Sequence, residues 1–190
     1  MSTVLYIKNM VCPRCIETVG QVLSEKGFKV QSIKLGEAEV DTEPSQQQLN
    51  DIDLSLKKRG FQLLMDKRSQ IVNQVKAEII HLIHHNEILL VNLSEHLAKL
   101  IGADYSSISN LFSSSEGITI EKFAILQKVE KVKELLSYGE LTASEIAFKL
   151  GYSSAAHLSS QFKKETGMTT GQYKNLKDKN RNPLDQVGNV

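Results

Sequence analysis

The sequence predicts an α+β chain of two domains: a βαββαβ unit at the N-terminus, then an all-α unit in which a long helix joins two helix-turn-helix pairs. Three observations carry this. Residues 3 to 65 switch repeatedly between strand-like alternation and helix-like spacing of apolar residues. From Ile71 onward apolar residues recur at three- and four-residue steps, with no strand. The run from Leu141 to Tyr173, with its caps, turn glycine and inward apolar pairs, is echoed more weakly between residues 92 and 123. The expected boundaries are 1–67 for the first domain and 71–180 for the second, with DKRSQ (66–70) as a linker and 181–190 as a disordered tail.

In the first domain Val4, Tyr6 and Lys8 alternate with Leu5 and Ile7, which predicts a strand. The turn Asn9-Met10-Val11-Cys12-Pro13-Arg14-Cys15 leads into a helix with Ile16, Val19, Val22 and Leu23 inward, and Pro13 suits its first turn. Gly27 ends it. Lys29–Leu35 and Glu37–Asp41 read as strands turning at Gly36. After Pro44 comes a helix carrying Leu49, Ile52 and Leu56, which Gly60 stops, and Phe61–Met65 makes a last strand. This order is the ferredoxin-like arrangement, two helices on one face of a four-stranded antiparallel sheet.

Met10-x-Cys12-x-x-Cys15 in the first strand-to-helix loop, with Gly60-Phe61 near the far end, resembles the heavy-metal-associated domain of copper chaperones and metal-pumping ATPases. The resemblance implies a soft ion held by Cys12 and Cys15, Cu(I) first and Zn(II), Cd(II) or Hg(II) as alternatives, with Met10 turned inward as support. Two thiolates from one loop can grip such an ion, and a helix N-terminus lowers the cost of deprotonating them. A thiol redox pair and an inert loop are the competing readings of a lone Cys-x-x-Cys.

The second domain starts with an amphipathic helix over Ile71, Val75, Ile79, Leu82 and Ile83. His81 and His85 on it are spaced to reach one metal, but no carboxylate or cysteine partner accompanies them, and a solvated helix face is the better expectation. In the first helix-turn-helix Ser94 is the expected cap of Glu95–Leu100, Gly102 the turn, and Asp104 the cap of a second helix whose Ile108 and Phe112 face inward. Ser106, Ser107, Ser109 and Asn110 then face outward. Ile120–Ser137 supplies the long helix, about 27 Å of it at 1.5 Å per residue. In the second pair Thr142 and Glu145 form a capping box, Gly151 stops the helix, and Ser153 is the expected cap of the next one. There Leu158 and Phe162 point inward, leaving Ala156, His157, Ser160 and Lys164 outward.

Glu145-Ile-Ala, Gly151-Tyr-Ser, Leu158-x-x-x-Phe162-Lys-Lys and Gly167-Met-Thr-x-x-x-Tyr173 resemble the second helix-turn-helix of AraC-type transcription regulators. That resemblance implies double-stranded DNA as partner, with the outward faces in two successive major grooves. Asn110 suits a bidentate pair with adenine, the serines read bases weakly, and Lys163 and Lys164 suit phosphates. The expected function is a sequence-specific transcription regulator, controlled by a soft metal at the thiol loop. The rival is a metallochaperone or metal buffer, or a thiol redox sensor, whose helical domain docks on proteins. The N-terminal domain could equally serve as a platform for a homodimer.

Composition sets the outer bounds. The 190 residues carry a formal net charge of +1, so no basic surplus by itself marks a nucleic-acid binder. No apolar run reaches the roughly 18 residues of a membrane span, and the first residues lack the pattern of a signal peptide; the expectation is a cytoplasmic protein. No Gly-rich phosphate loop, carboxylate pair or nucleophile with an orienting base emerges, so no enzyme is expected.

Overall fold

A computed structural model describes residues 2–86, 92–176 and 179–188, and the chain divides into two units, Met1–Glu78 and Ile79–Val190. The first contains β1 (Thr3–Lys8), α1 (Pro13–Glu25), β2 (Val30–Lys34), β3 (Glu37–Val40), α2 (Gln46–Lys57) and β4 (Gln62–Leu64). These strands form one antiparallel sheet in the order β2-β3-β1-β4, with Leu5 opposite Ala38 and Ile7 opposite Leu63. Alternation in β1 sends Leu5 and Ile7 into a core with Val19, Val22 and Leu23 of α1 and Ile52 and Leu56 of α2. Pro13 opens α1, and Ser45 with Gln48 closes a capping box at the start of α2.

The helix that follows, α3 (Lys67–Ile80), begins earlier than the spacing of its apolar residues suggests. The charged run expected as a linker is its first turn, because the Asp66 carboxylate accepts the Ser69 backbone N–H at 2.8 Å. Buried Asn73 then donates Nδ2 to the carbonyls of Ile7 (3.2 Å) and Gly36 (3.3 Å). Gly36 has φ +83°, and a Cβ there would come within 2.9 Å of the Ala77 side chain. Polar contacts thus bind α3 to the sheet, and the division between units falls at Glu78, later than the boundary expected at 67–71.

The second unit opens with the end of that helix and a π-helical segment, His81–His85. It continues with α4 (Leu93–Ile101), α5 (Tyr105–Glu116), α6 (Ile120–Tyr138), α7 (Ala143–Lys149), α8 (Ala155–Thr166) and the short α9 (Thr170–Lys174). Two caps differ from expectation by a residue or two. Asn92, not Ser94, precedes α4, and Ser154, not Ser153, caps α8 by accepting the His157 N–H at 3.0 Å. The expected disordered tail is also corrected: among residues 179–188 Val187 is buried, and Arg181, Asn182 and Leu184 bond to α6. Its anchors are polar and backbone groups with one apolar plug, so no hydrophobic period betrays it. No helix among the described residues is long and apolar enough to cross a membrane.

Candidate functional site

Both helix-turn-helix pairs are built on the same supports. In the first, Gly102 (φ +71°) ends α4, and Asp104 accepts the backbone N–H groups of Ser106 (3.0 Å) and Ser107 (3.4 Å) to start α5. Ile108 and Phe112 are buried, and the Phe112 ring meets Phe123 of α6 edge-on at 5.7 Å. In the second, the Thr142–Glu145 capping box starts α7, Gly151 (φ +68°) makes the turn, and Leu158 and Phe162 of α8 are buried. Phe162 meets Tyr173 of α9 edge-on at 5.5 Å.

Burying those apolar positions turns a defined set of side chains outward. On α5, Ser106, Ser107 and Asn110 are exposed and share one face, while Ser109 is half-buried and its carbonyl accepts the Ser113 hydroxyl at 2.8 Å. The Ser106 hydroxyl bonds to the Asp104 carboxylate, which engages its only proton. Asn110 is thus the α5 side chain best placed to donate and accept together. On α8, Ala156, His157 and Ser160 are exposed on one face, and exposed Lys163 and Lys164 follow in the last turn, where cations complement the helix dipole. His157 Nδ1 is held by the Ser153 hydroxyl at 3.0 Å, and its ring stands edge-on to Tyr152 at 5.3 Å. That leaves Nε2 for an outside partner.

Sequence reasoning missed the groups that hold α8 in place. Lys128 of α6 lies over the Tyr152 ring, 5.1 Å from its centre, and burial lowers the lysine's proton affinity and pushes the tyrosine's pKa up to about 12. Lys122 donates to Glu165 at 2.6 Å. The signal for these was faint: a lysine on the inner side of an otherwise amphipathic helix.

His81 and His85 are exposed, as a solvated helix face requires, whereas His84 between them turns inward. Gln127, fully buried on α6, donates Nε2 to the Leu184 carbonyl at 3.2 Å, so its Oε1 must be the acceptor for His84 Nε2 at 3.0 Å. The neutral ring then carries its proton on Nε2. Nδ1 is buried and has no hydrogen-bond partner among the described residues. Burial, opposed by the Gln127 bond and reinforced by nearby Lys131, lowers the His84 pKa to about 4. His81 and His85 stack at 6.1 Å, and no group of three His, Cys, Asp or Glu among the described residues is arranged to hold a metal.

The thiol loop lies in the first unit. Cys12, in extended conformation, is the N-cap of α1, and its carbonyl accepts the Cys15 N–H at 2.9 Å, which folds the two side chains together with Sγ atoms 3.2 Å apart. Both are free and half-buried. Asn9 takes φ +73° and donates Nδ2 to the Gly60 carbonyl at 2.9 Å, tying the loop to the Gly60-Phe61 corner. Met10 is 2% exposed and lies in the core cluster of this unit. With metal–sulfur bonds of about 2.3 Å, linear two-sulfur coordination needs sulfurs about 4.6 Å apart, an opening that side-chain rotation can supply. Burial, with the Cys12 thiol beside it, pushes the Cys15 thiol above the ordinary cysteine range, while backbone bonding to Val11 pulls the other way.

A family described as a helix-turn-helix domain matches residues 97–176. Over 103 residues the chain is 35% identical to an uncharacterized HTH-type transcriptional regulator of Staphylococcus aureus strain MSSA476, covering 54% of this chain and 13% of that protein. The corresponding identity to the uncharacterized HTH-type transcriptional regulator YtdP of Bacillus subtilis strain 168 is 27%, with the same coverage. The chain thus spans 13% of the length of these curated relatives. Among solved structures, the C-terminal domain of AraT, a response regulator from Geobacillus stearothermophilus, is 27% identical with a TM-score of 0.49, covering 57% of this chain and 87% of that one. The DNA-binding domain of AdpA in complex with a target DNA is 21% identical with a TM-score of 0.45, covering 58% and 91%. A helix-turn-helix domain thus occupies residues 97–176 of the chain.

Proposed function

We propose that this chain is a sequence-specific DNA-binding transcription regulator of AraC type, and that its ferredoxin-like N-terminal unit, resembling a heavy-metal-associated domain, takes a soft metal ion that controls DNA binding. The observation that carries the DNA reading is the pair of exposed faces, Ser106, Ser107 and Asn110 on α5 and Ala156, His157 and Ser160 on α8, each backed by a buried apolar pair in the matched domain. A 19-residue helix between them is long enough to serve two successive major grooves. The reading is supported by Lys163 and Lys164, which continue the α8 face towards a phosphate backbone.

For the metal, Cys12 and Cys15 are the residues that would hold it, as two soft donors on one loop at a helix N-terminus. The ion must displace the Cys15 proton, whose affinity burial raises, so uptake strengthens as pH rises. Metal changes operator affinity only if it binds the free and the DNA-bound protein unequally; a typical coupling of about 1–3 kcal/mol corresponds to about 5- to 150-fold. The 3.2 Å sulfur separation also favours a second reading, a thiol pair closed to a disulfide by a thiol-specific oxidant.

One series of measurements tests all of this. The chain is used to select duplexes from a randomised pool, and the affinity of the selected duplex is measured with and without Cu(I), Zn(II) or Hg(II), for the native chain and for Cys12→Ser/Cys15→Ser. Enrichment followed by a metal effect confined to the native chain is the expected outcome. Equal affinities throughout remove metal control and leave the N-terminal unit an assembly role. No enrichment at all removes the regulator and favours a metal-carrying or metal-buffering protein.

A further inference from the structure

Residues 97–176 account for the matched domain, yet the chain goes on to follow α6. Arg181 donates to Glu134 (2.7 Å), Asn182 donates its backbone N–H and Nδ2 to Glu130 (3.1 and 3.2 Å), Leu184 accepts from Gln127 (3.2 Å), and Gly188 lies against Phe123. The helix partners, 134, 130, 127 and 123, step back by three or four residues each time. They form a single stripe of α6, down which the segment runs antiparallel for about 16 Å at 1.5 Å per residue.

Each end of this run rests on a different helix-turn-helix unit. At its start the Asn180 carbonyl accepts the Tyr173 hydroxyl at 3.2 Å, and Tyr173 packs on Phe162 of α8. At its end Gly188, with φ +82°, sits so close that a Cβ would come within 2.9 Å of Phe123 and 3.1 Å of Ile118, and Phe123 packs on Phe112 of α5. Between them lies a cavity of about 500 Å³, bounded by Leu126 and Val129 of α6, by Glu165 and Met168 at the end of α8 and beyond it, and by Gln186 and Val187 of the segment itself. Here α6 and α8 face each other across a gap that the segment spans. The Glu130 carboxylate is buried, so its bonds from Lys133 and from the Asn182 backbone and side chain are what make that burial tolerable.

We propose that residues 181–188 are a strap that fixes the two helix-turn-helix units of this chain relative to each other, and so determines which spacing of two half-sites on a duplex they accept. The spacing role rests on the DNA reading above; the fixing of the two units does not. In a Cys12→Ser/Cys15→Ser chain, spin labels at Ser115→Cys on α5 and Lys163→Cys on α8 report the distance between the units. The intact strap gives a narrow distance distribution, and ending the chain at Asn180 broadens it. Should the truncated chain fail to fold, Arg181→Ala/Asn182→Ala, which removes the two side-chain anchors and keeps the Asn182 backbone bond to Glu130, gives broadening in the same direction. On duplexes selected with the full chain, inserting three base pairs between the halves weakens binding by about tenfold, a coupling of ordinary size, and loss of the strap removes most of that discrimination. An unchanged distance distribution in both variants overturns the strap. Broadening with spacing discrimination intact overturns its role in specificity. Absence of any selected duplex sinks the DNA reading and the spacing role, while the distance measurement still decides the strap.

Discussion

Shifted by fifty positions, the first helix-turn-helix unit matches the second support by support. The caps Asp104 and Ser154, the inward pairs Ile108 with Phe112 and Leu158 with Phe162, and the left-handed glycines Gly117 and Gly167 all correspond. So do the next caps, Thr119 and Thr169, and the aromatic backstops Phe123 and Tyr173. Outside the supports the two diverge. Between Tyr105 and Glu116, α5 carries no basic residue, whereas α8 ends on Lys163 and Lys164. The first helix of the first unit has no side-chain cap bond, and that of the second has a full capping box worth about 1 kcal/mol. Steric requirements of the scaffold hold the inner face constant while the outer face is free to change. On the proposed DNA reading, the second helix-turn-helix would grip phosphates and the first would read a base through Asn110.

The largest expected effect tests the shared scaffold. Phe112→Ala and Phe162→Ala each delete a fully buried ring and should each cost about 3–5 kcal/mol in denaturant unfolding. A cost confined to one of them would break the equivalence.

A smaller effect concerns how α6, which serves both units, is braced. His84 has a folded-state pKa of about 4 against an ordinary value of 6.5, so it stays neutral in the fold while the unfolded chain takes up a proton. Its contribution is complete above about pH 6.5 and is lost as pH falls towards 4, by about 2–3 kcal/mol in all. Facing it, Lys131 and His85 oppose the added charge and Glu134 favours it. Unfolding free energies at pH 7, 5.5 and 4.5 should show this slope in the native chain and a flatter one in His84→Gln; equal slopes would remove His84 as the cause.

The division of labour on DNA gives the smallest change and sharpens the comparison most. Asn110→Ala should relax preference at one base position by about 1–3 kcal/mol, while Lys164→Ala should weaken binding to all duplexes and reduce the salt slope by about 1. Uniform loss from both, measured by titration at several salt concentrations, would contradict the assignment.

Much of this molecule follows from local rules. The order of strands and helices in the first unit, the two turn glycines, the Thr142–Glu145 box and the inward pairs of α5 and α8 need only periodicity and capping chemistry, which act over a few residues. The outward faces follow from the inward ones by helix geometry, and the thiols are adjacent because a helix start brings positions three apart together. Interactions across long separations decided the rest. Asn73 draws α3 onto the sheet 66 residues away, Gln127 turns His84 inward and holds Leu184, and Glu130 collects Asn182 from 52 positions on. These are single polar side chains without a period, and a hydrogen bond gains its force from the burial around it, which exists only once the chain has closed on itself.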